Sequence, residues 1–78
     1  MNMPKVTDLL NEAGVSHRHI SPSAIRIDSI IDGASRPVLV FEARTNQATE
    51  MPDWPRLSEK RKGYLKVLVK RMRLTNTH

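Results

Sequence analysis

The sequence contains no cysteine, which excludes disulfide bonds, thiol catalysis and every zinc site that uses a thiolate. Its glycines are isolated, so no glycine-rich phosphate loop is present. The longest uninterrupted aliphatic or aromatic run is Val38 to Phe41, far shorter than a membrane span or a signal peptide. Few aromatic residues flank any amphipathic segment, which disfavours a helix lying on a membrane. We therefore expect a cytoplasmic protein without membrane contact.

The 78 residues are enough for one domain, and the charge within it is uneven. The formal net charge is +5, with residues 56–78 contributing +7 and residues 1–55 contributing −2. Seven of the 13 Lys and Arg residues lie between Lys60 and Arg73. The excess positive charge therefore belongs to one segment, whereas the remainder of the chain carries a small net negative charge.

Residues 57–74 are predicted to form a long amphipathic helix. Leu57, Tyr64, Leu65, Leu68 and Met72 fall on one face at helical spacing, with Val69 beside them. A basic ridge is predicted on the opposite face; it comprises Lys62, Lys66, Lys70 and Arg73, with Lys60, Arg61 and Arg71 at its margins.

The start of this helix is unusual. Ser58 is a good N-cap, but the three cations at 60–62 oppose the helix dipole, at a cost of roughly 0.3–1 kcal/mol each when exposed. An anionic partner would explain them; a solvated face that keeps the protein soluble is the alternative. Gly63 is costly inside a helix, so the regular helix begins either near Ser58 or only at Tyr64.

A shorter amphipathic helix is predicted from Pro4 to Ala13, followed by a glycine suited to a helix C-terminus. The stretch Leu9 to Ser16, LLNEAGVS, resembles the first helix and turn of a helix-turn-helix DNA-binding motif. Pro22 lies where that motif's second helix would be well under way, so a strand after Gly14 is the competing and preferred interpretation.

The middle of the chain predicts an antiparallel β-hairpin. Ile25 to Asp32 alternates between apolar and polar residues and is predicted to form the first strand. Residues 33–36 are predicted to form the connection, and Pro37 to Arg44 the second strand. A helix over residues 24–32 is the alternative, which the β-branched residues disfavour. Residues 15–20 could add a third, short edge strand. The expected fold class is therefore α+β, with the order α-β-β-α or α-β-β-β-α.

The second strand is apolar on both faces, as in strands that are covered on both sides. With Val38 and Val40 facing away from Leu39 and Phe41, either one helix covers each face, or both helices pack on one face and leave the other to a second copy or a partner. We therefore expect a homodimer or a protein partner at Val38 and Val40.

Residues 45–55 read as a linker with prolines on both sides of Trp54, and residues 1–3 and 75–78 read as flexible tails. Trp54 could stack on a nucleic-acid base, although a lid on the small core is the commoner role.

Catalytic signals are weak. Asp28 or Asp32 followed by Glu42-Ala43-Arg44 resembles the acidic pair and Glu-x-Lys of metal-dependent restriction-type nucleases, but Arg44 stands where the lysine belongs. His17 and His19 share a face and lack a third metal ligand nearby. We expect no enzymatic activity, no catalytic residue, no metal and no cofactor.

The leading hypothesis is a basic accessory or regulatory protein that binds DNA or RNA, independently of sequence, through phosphate contacts from its C-terminal helix. The order of elements resembles that of the double-stranded-RNA-binding domain, although Glu59-Lys60-Arg61-Lys62-Gly63 does not match the start of that family's basic helix. The alternative is a phage- or plasmid-type inhibitor or adaptor that binds an acidic surface of a host polymerase, nuclease or CRISPR effector.

Overall fold

A computed structural model describes residues 1–78 and confirms the α+β class. Helix α1 (Met3–Glu12) is followed by four strands and by helix α2 (Glu59–Asn76). The strands are β1 (His17–Ser21), β2 (Ala24–Ile31), β3 (Ala34–Glu42) and β4 (Gln47–Glu50), and a 3₁₀ turn at Trp54–Arg56 precedes α2. They form one antiparallel sheet in the order β1-β2-β3-β4.

The segment after Gly14 is strand β1, so the edge-strand prediction is confirmed and the helix-turn-helix interpretation is wrong. The β2–β3 connection is tighter than predicted. Asp32 and Gly33 both have positive φ, at 50° and 79°, as a two-residue type I′ turn requires. Strand β3 consequently begins at Ala34, and residues 34–36 belong to the sheet.

Both helices cover the same face of the sheet. Thr7 of α1 contacts His19 of β1, while Val69 of α2 lies with Leu39 of β3 and Ala48 of β4 around a shared groove. The core between the helices and the sheet is aliphatic, with Phe41 and Trp54 its only aromatic members. The other face of the sheet is open.

A β-bulge changes the predicted orientation of Val38. Ile27 pairs with Leu39 and the next residue of β2 pairs with Pro37, so Val38 is the extra residue of the bulge. Val38 is fully buried beside Leu39, and only Val40 is half-buried on the open face. The strict alternation that suggested an interface at Val38 and Val40 is therefore broken, and Val38 has no surface to offer a partner.

The predicted linker and C-terminal tail are largely ordered elements. Residues 45–55 contain β4 and the start of the 3₁₀ turn, and α2 continues through Thr75 and Asn76. Strand β4 has a weak sequence signal because Gln, Ala and Glu are poor strand formers. Neither helix is long and apolar enough to cross a membrane.

Candidate nucleic-acid interface

Helix α2 begins as its capping signal predicts. The Ser58 hydroxyl accepts a hydrogen bond from the Arg61 amide at 3.1 Å, and Glu59 lies in the first turn, where the helix dipole favours an acid. Gly63 lies inside the regular helix, so the alternative start at Tyr64 is wrong.

The buried face of α2 is rotated from the predicted one. It consists of Leu65, Leu68, Val69, Met72 and Asn76, whereas Tyr64 is 42% exposed. At about 100° per residue the basic ridge therefore flanks the buried face instead of opposing it. We call these four residues, Lys62, Lys66, Lys70 and Arg73, the β4-side row, because the last three line a groove shared with strand β4 and Lys62 lies on the same side of the helix.

A shallow groove of about 270 Å³ separates the β4-side row from the sheet. Lys66, Lys70 and Arg73 line its helix wall, and Ala48 and Glu50 line its strand wall. Glu50 has no basic partner within 4.0 Å, so the cations of the groove keep their charge unpaired. Sequence reasoning missed Glu50 because it did not predict β4.

Arg73 is anchored at the end of this row. Its Nε donates to the backbone oxygen of Asn46 at 3.0 Å, which leaves the other guanidinium N–H groups available. The same corner is held by Asn76, which is 2% exposed and donates to Ala43 O at 2.9 Å and to Asn46 Oδ1 at 3.0 Å.

The remaining cations of α2 differ in whether another group of the protein already binds them. Lys62 forms an i,i+3 ion pair with Glu59 at 3.2 Å. Arg61 folds back toward the sheet: its Nε donates to Ser29 Oγ at 3.3 Å, and its guanidinium lies 5.1 Å from the centre of the Tyr64 ring. Lys60 and Arg71 are exposed, with no side-chain hydrogen bond or ion pair, and we call them the outer pair.

Trp54 is only 5% exposed and belongs to the hydrophobic core. Its indole is therefore a lid on the core, and its small exposed part lines the groove beside the β4-side row, too little for a base to stack on. Trp54 begins the 3₁₀ turn Trp54–Arg56, which leads into α2.

In the largest surface depression, acidic side chains of the protein itself neutralise the charge of Arg56. It measures about 500 Å³ and lies beside the start of α2, where Arg56 forms ion pairs with Asp32 and Asp53 at 2.6 and 3.2 Å. Hydrogen bonds to Asp53 and then Asp32 raise the pKa of the Arg56 guanidinium. Of the two arginines that line this depression, only Arg61 has no acidic partner, so the depression offers an anion less free charge than the β4-side row.

The carboxylates of the nuclease-like pattern are not brought together. Asp28 forms a bidentate ion pair with Arg26, Asp32 binds Arg56, and Glu42 accepts from the Arg44 amide at 3.0 Å. No group of three His, Asp or Glu side chains is arranged to hold a metal ion. The His17 ring contacts Val15 O and the His19 ring contacts Thr7 Oγ1, so each has a protein partner.

Comparisons with protein-family models, with curated proteins and with solved structures find no match to this chain.

Proposed function

We propose that the chain is a nucleic-acid-binding accessory protein that contacts phosphates through α2. The observation that carries the proposal is the unpaired charge of this helix. Six of its seven basic side chains have no acidic partner within 4.0 Å and lie together on one element, whereas the unpaired bases outside it are spread over the rest of the chain: Lys5, Arg18, Arg36 and Arg44. A polyanion with regularly spaced charges would supply the missing partners.

The arrangement is unfavourable for the helix itself. Lys62, Lys66 and Lys70 repeat at i,i+4, where like charges destabilise a helix by about 0.2–0.5 kcal/mol per pair. Lys60 lies in the first turn, close to the positive end of the helix dipole. A bound phosphate backbone would turn both unfavourable terms into favourable ones.

The test is a fluorescence-anisotropy titration of labelled DNA and RNA over a series of salt concentrations. The free cations of α2 should contact about three to five phosphates, so log affinity should fall against log salt with a slope of roughly −3 to −4.5. The double variant Lys66→Glu/Lys70→Glu should lower affinity at least about tenfold, which corresponds to about 1.4 kcal/mol.

The matched control is Arg18→Glu/Arg36→Glu, which changes the net charge equally at two exposed arginines outside α2. It should retain most of the wild-type affinity, because binding depends on the surface of α2 and not on net charge alone. Absence of binding to any nucleic acid at low salt would refute the proposal. A pull-down of acidic protein partners would then test the inhibitor or adaptor alternative.

A further inference from the structure

The outermost line of α2 carries small and apolar residues instead of cations. Relative to the buried Leu65, residues Gly63, Val67 and Leu74 lie roughly 160–200° around the helix. Val67 is 59% exposed and Leu74 is 63% exposed, and a Cβ added at Gly63 would meet no atom within 4 Å. We call these three residues the crest of α2.

Cations border the crest on both sides. The β4-side row lies on one side, and the outer pair, Lys60 and Arg71, lies on the other at about 220–240° from Leu65. A helix that crossed one phosphate backbone would need cations along its crest. This helix instead has an uncharged crest between two sets of cations, which suits a groove with a phosphate backbone along each wall.

We propose that α2 inserts its crest into the major groove of double-stranded DNA; this inference rests on the proposed function. An α-helix with its side chains is about 10–12 Å wide, and the major groove of B-form DNA is about 12 Å wide. The minor groove, at about 6 Å, is too narrow for a helix. The major groove of A-form RNA is deep and narrow, so it does not admit side chains.

The aromatic residues argue against a single strand as the ligand. Single-strand binders stack bases on exposed aromatic rings, but Phe41 and Trp54 are 0% and 5% exposed. The ring of Tyr64 is partly exposed and lies against the Arg61 guanidinium. Because Tyr64 is the only exposed ring of the three and a cation already lies against it, rigid duplex phosphates are the better match to the exposed cations.

The two sets of cations beside the crest should not contribute equally to the affinity for duplex DNA. Helix α1 contacts α2 and covers the β1 half of the sheet, so it lies on the side of the outer pair. Its exposed acids, Asp8 and Glu12, outnumber its exposed base, Lys5, so α1 adds a small net negative charge on that side. The β4 side has the groove with Lys66, Lys70 and Arg73 and a single acid, Glu50. The β4-side row is therefore the stronger of the two.

The experiment compares duplex DNA, duplex RNA and single-stranded DNA of one sequence, each end-labelled, by anisotropy at one low salt concentration. Duplex DNA should bind about tenfold or more tightly than the other two.

Lys60→Glu/Arg71→Glu should weaken binding to duplex DNA, but by less than Lys66→Glu/Lys70→Glu. Dimethyl sulfate should methylate guanine N7, an atom of the major groove, less efficiently in the saturated complex.

The crest is tested by Val67→Glu against Ile30→Glu. Both are exposed apolar residues and both changes add one negative charge, but Ile30 lies on the open face of the sheet. Val67→Glu should lower affinity for duplex DNA about tenfold, because it places a carboxylate in the groove between the phosphates. Ile30→Glu should change affinity less than about twofold. Circular dichroism of both variants verifies that the fold is retained.

Equal affinity for duplex RNA or for a single strand would overturn the groove inference, and so would unchanged guanine methylation. In either case a loss of affinity in Lys66→Glu/Lys70→Glu would keep the proposed function. No binding to any of the three ligands would instead refute the proposed function itself.

Discussion

Asn76 shows how a single polar side chain can fix the position of a binding helix. It accepts a hydrogen bond from the Asn2 amide at 2.9 Å and donates to Ala43 and Asn46, all from a nearly inaccessible site. Arg73 depends on the same corner, because its Nε donates to Asn46. The predicted tail at residues 75–78 gave no sign of this role, since an isolated Asn near a chain end is ordinarily solvated.

Asn76→Ala should lower the free energy of unfolding by about 1–3 kcal/mol, because the Asn2 amide and the Ala43 carbonyl lose their partner. Thr77→Ala, at the exposed next residue, should change it by less than about 0.5 kcal/mol. Urea denaturation of both variants provides the measurement. Equal stability of Asn76→Ala and wild type would mean that the last turn of α2 is not docked in solution.

Glu42 makes the stability of the fold depend on pH, and the lowered pKa of its carboxyl fixes the direction of that dependence. Its carboxylate accepts the Arg44 amide and is further favoured by the Ser23 hydroxyl, so its pKa lies below the usual 4.5. A carboxyl with a lowered pKa in the folded state adds stability above its unfolded pKa and loses it as the pH falls through the folded pKa. Wild type should therefore exceed Glu42→Gln in stability at pH 7, and the gap should close below pH 4.5. A gap that stays constant in acid would contradict this assignment.

At the scale of the element, α2 combines an apolar buried face with a glycine that its packing does not need. Gly63 lies in the helix, and a Cβ there meets no other atom within 4 Å. Gly63→Ala should therefore stabilise the protein by about 1 kcal/mol and raise Tm by about 4–8 °C. Thermal unfolding followed by circular dichroism measures both. A decrease in Tm would show that residues 60–63 are not helical in solution.

The elements differ in how far the sequence could predict them. Both helices followed from apolar spacing and capping residues, and β1 and β2 followed from polarity and turn signals. The two-residue turn was missed, because the predicted connection spans residues 33–36, although Asp-Gly is a strong signal for a type I′ turn. The bulge at Val38 and strand β4 were not predictable. The bulge depends on the pairing of β3 with β2, and β4 depends on its pairing with β3; no local sequence pattern specifies either.

At the scale of the whole molecule, the location of the excess charge on α2 could be read from the sequence, but its orientation could not. The predicted face included Tyr64, whereas packing against β3 and β4 rotates the buried face toward Val69. That rotation points the crest directly away from the sheet, with the β4-side row and the outer pair on its two sides. The residues of the candidate site could therefore be predicted from the sequence, whereas their orientation relative to the sheet is set by tertiary packing.

The contact between Asn2 and Asn76 also makes the chain nearly circular. The first helix starts where the last one ends, so proteins fused to either terminus would emerge from the same corner of the domain. A short peptide could join the two ends without moving any element, and new termini could be opened at the exposed Asp32-Gly33 turn. In such a permuted chain α2 would lie in the middle of the sequence, covalently held at both ends.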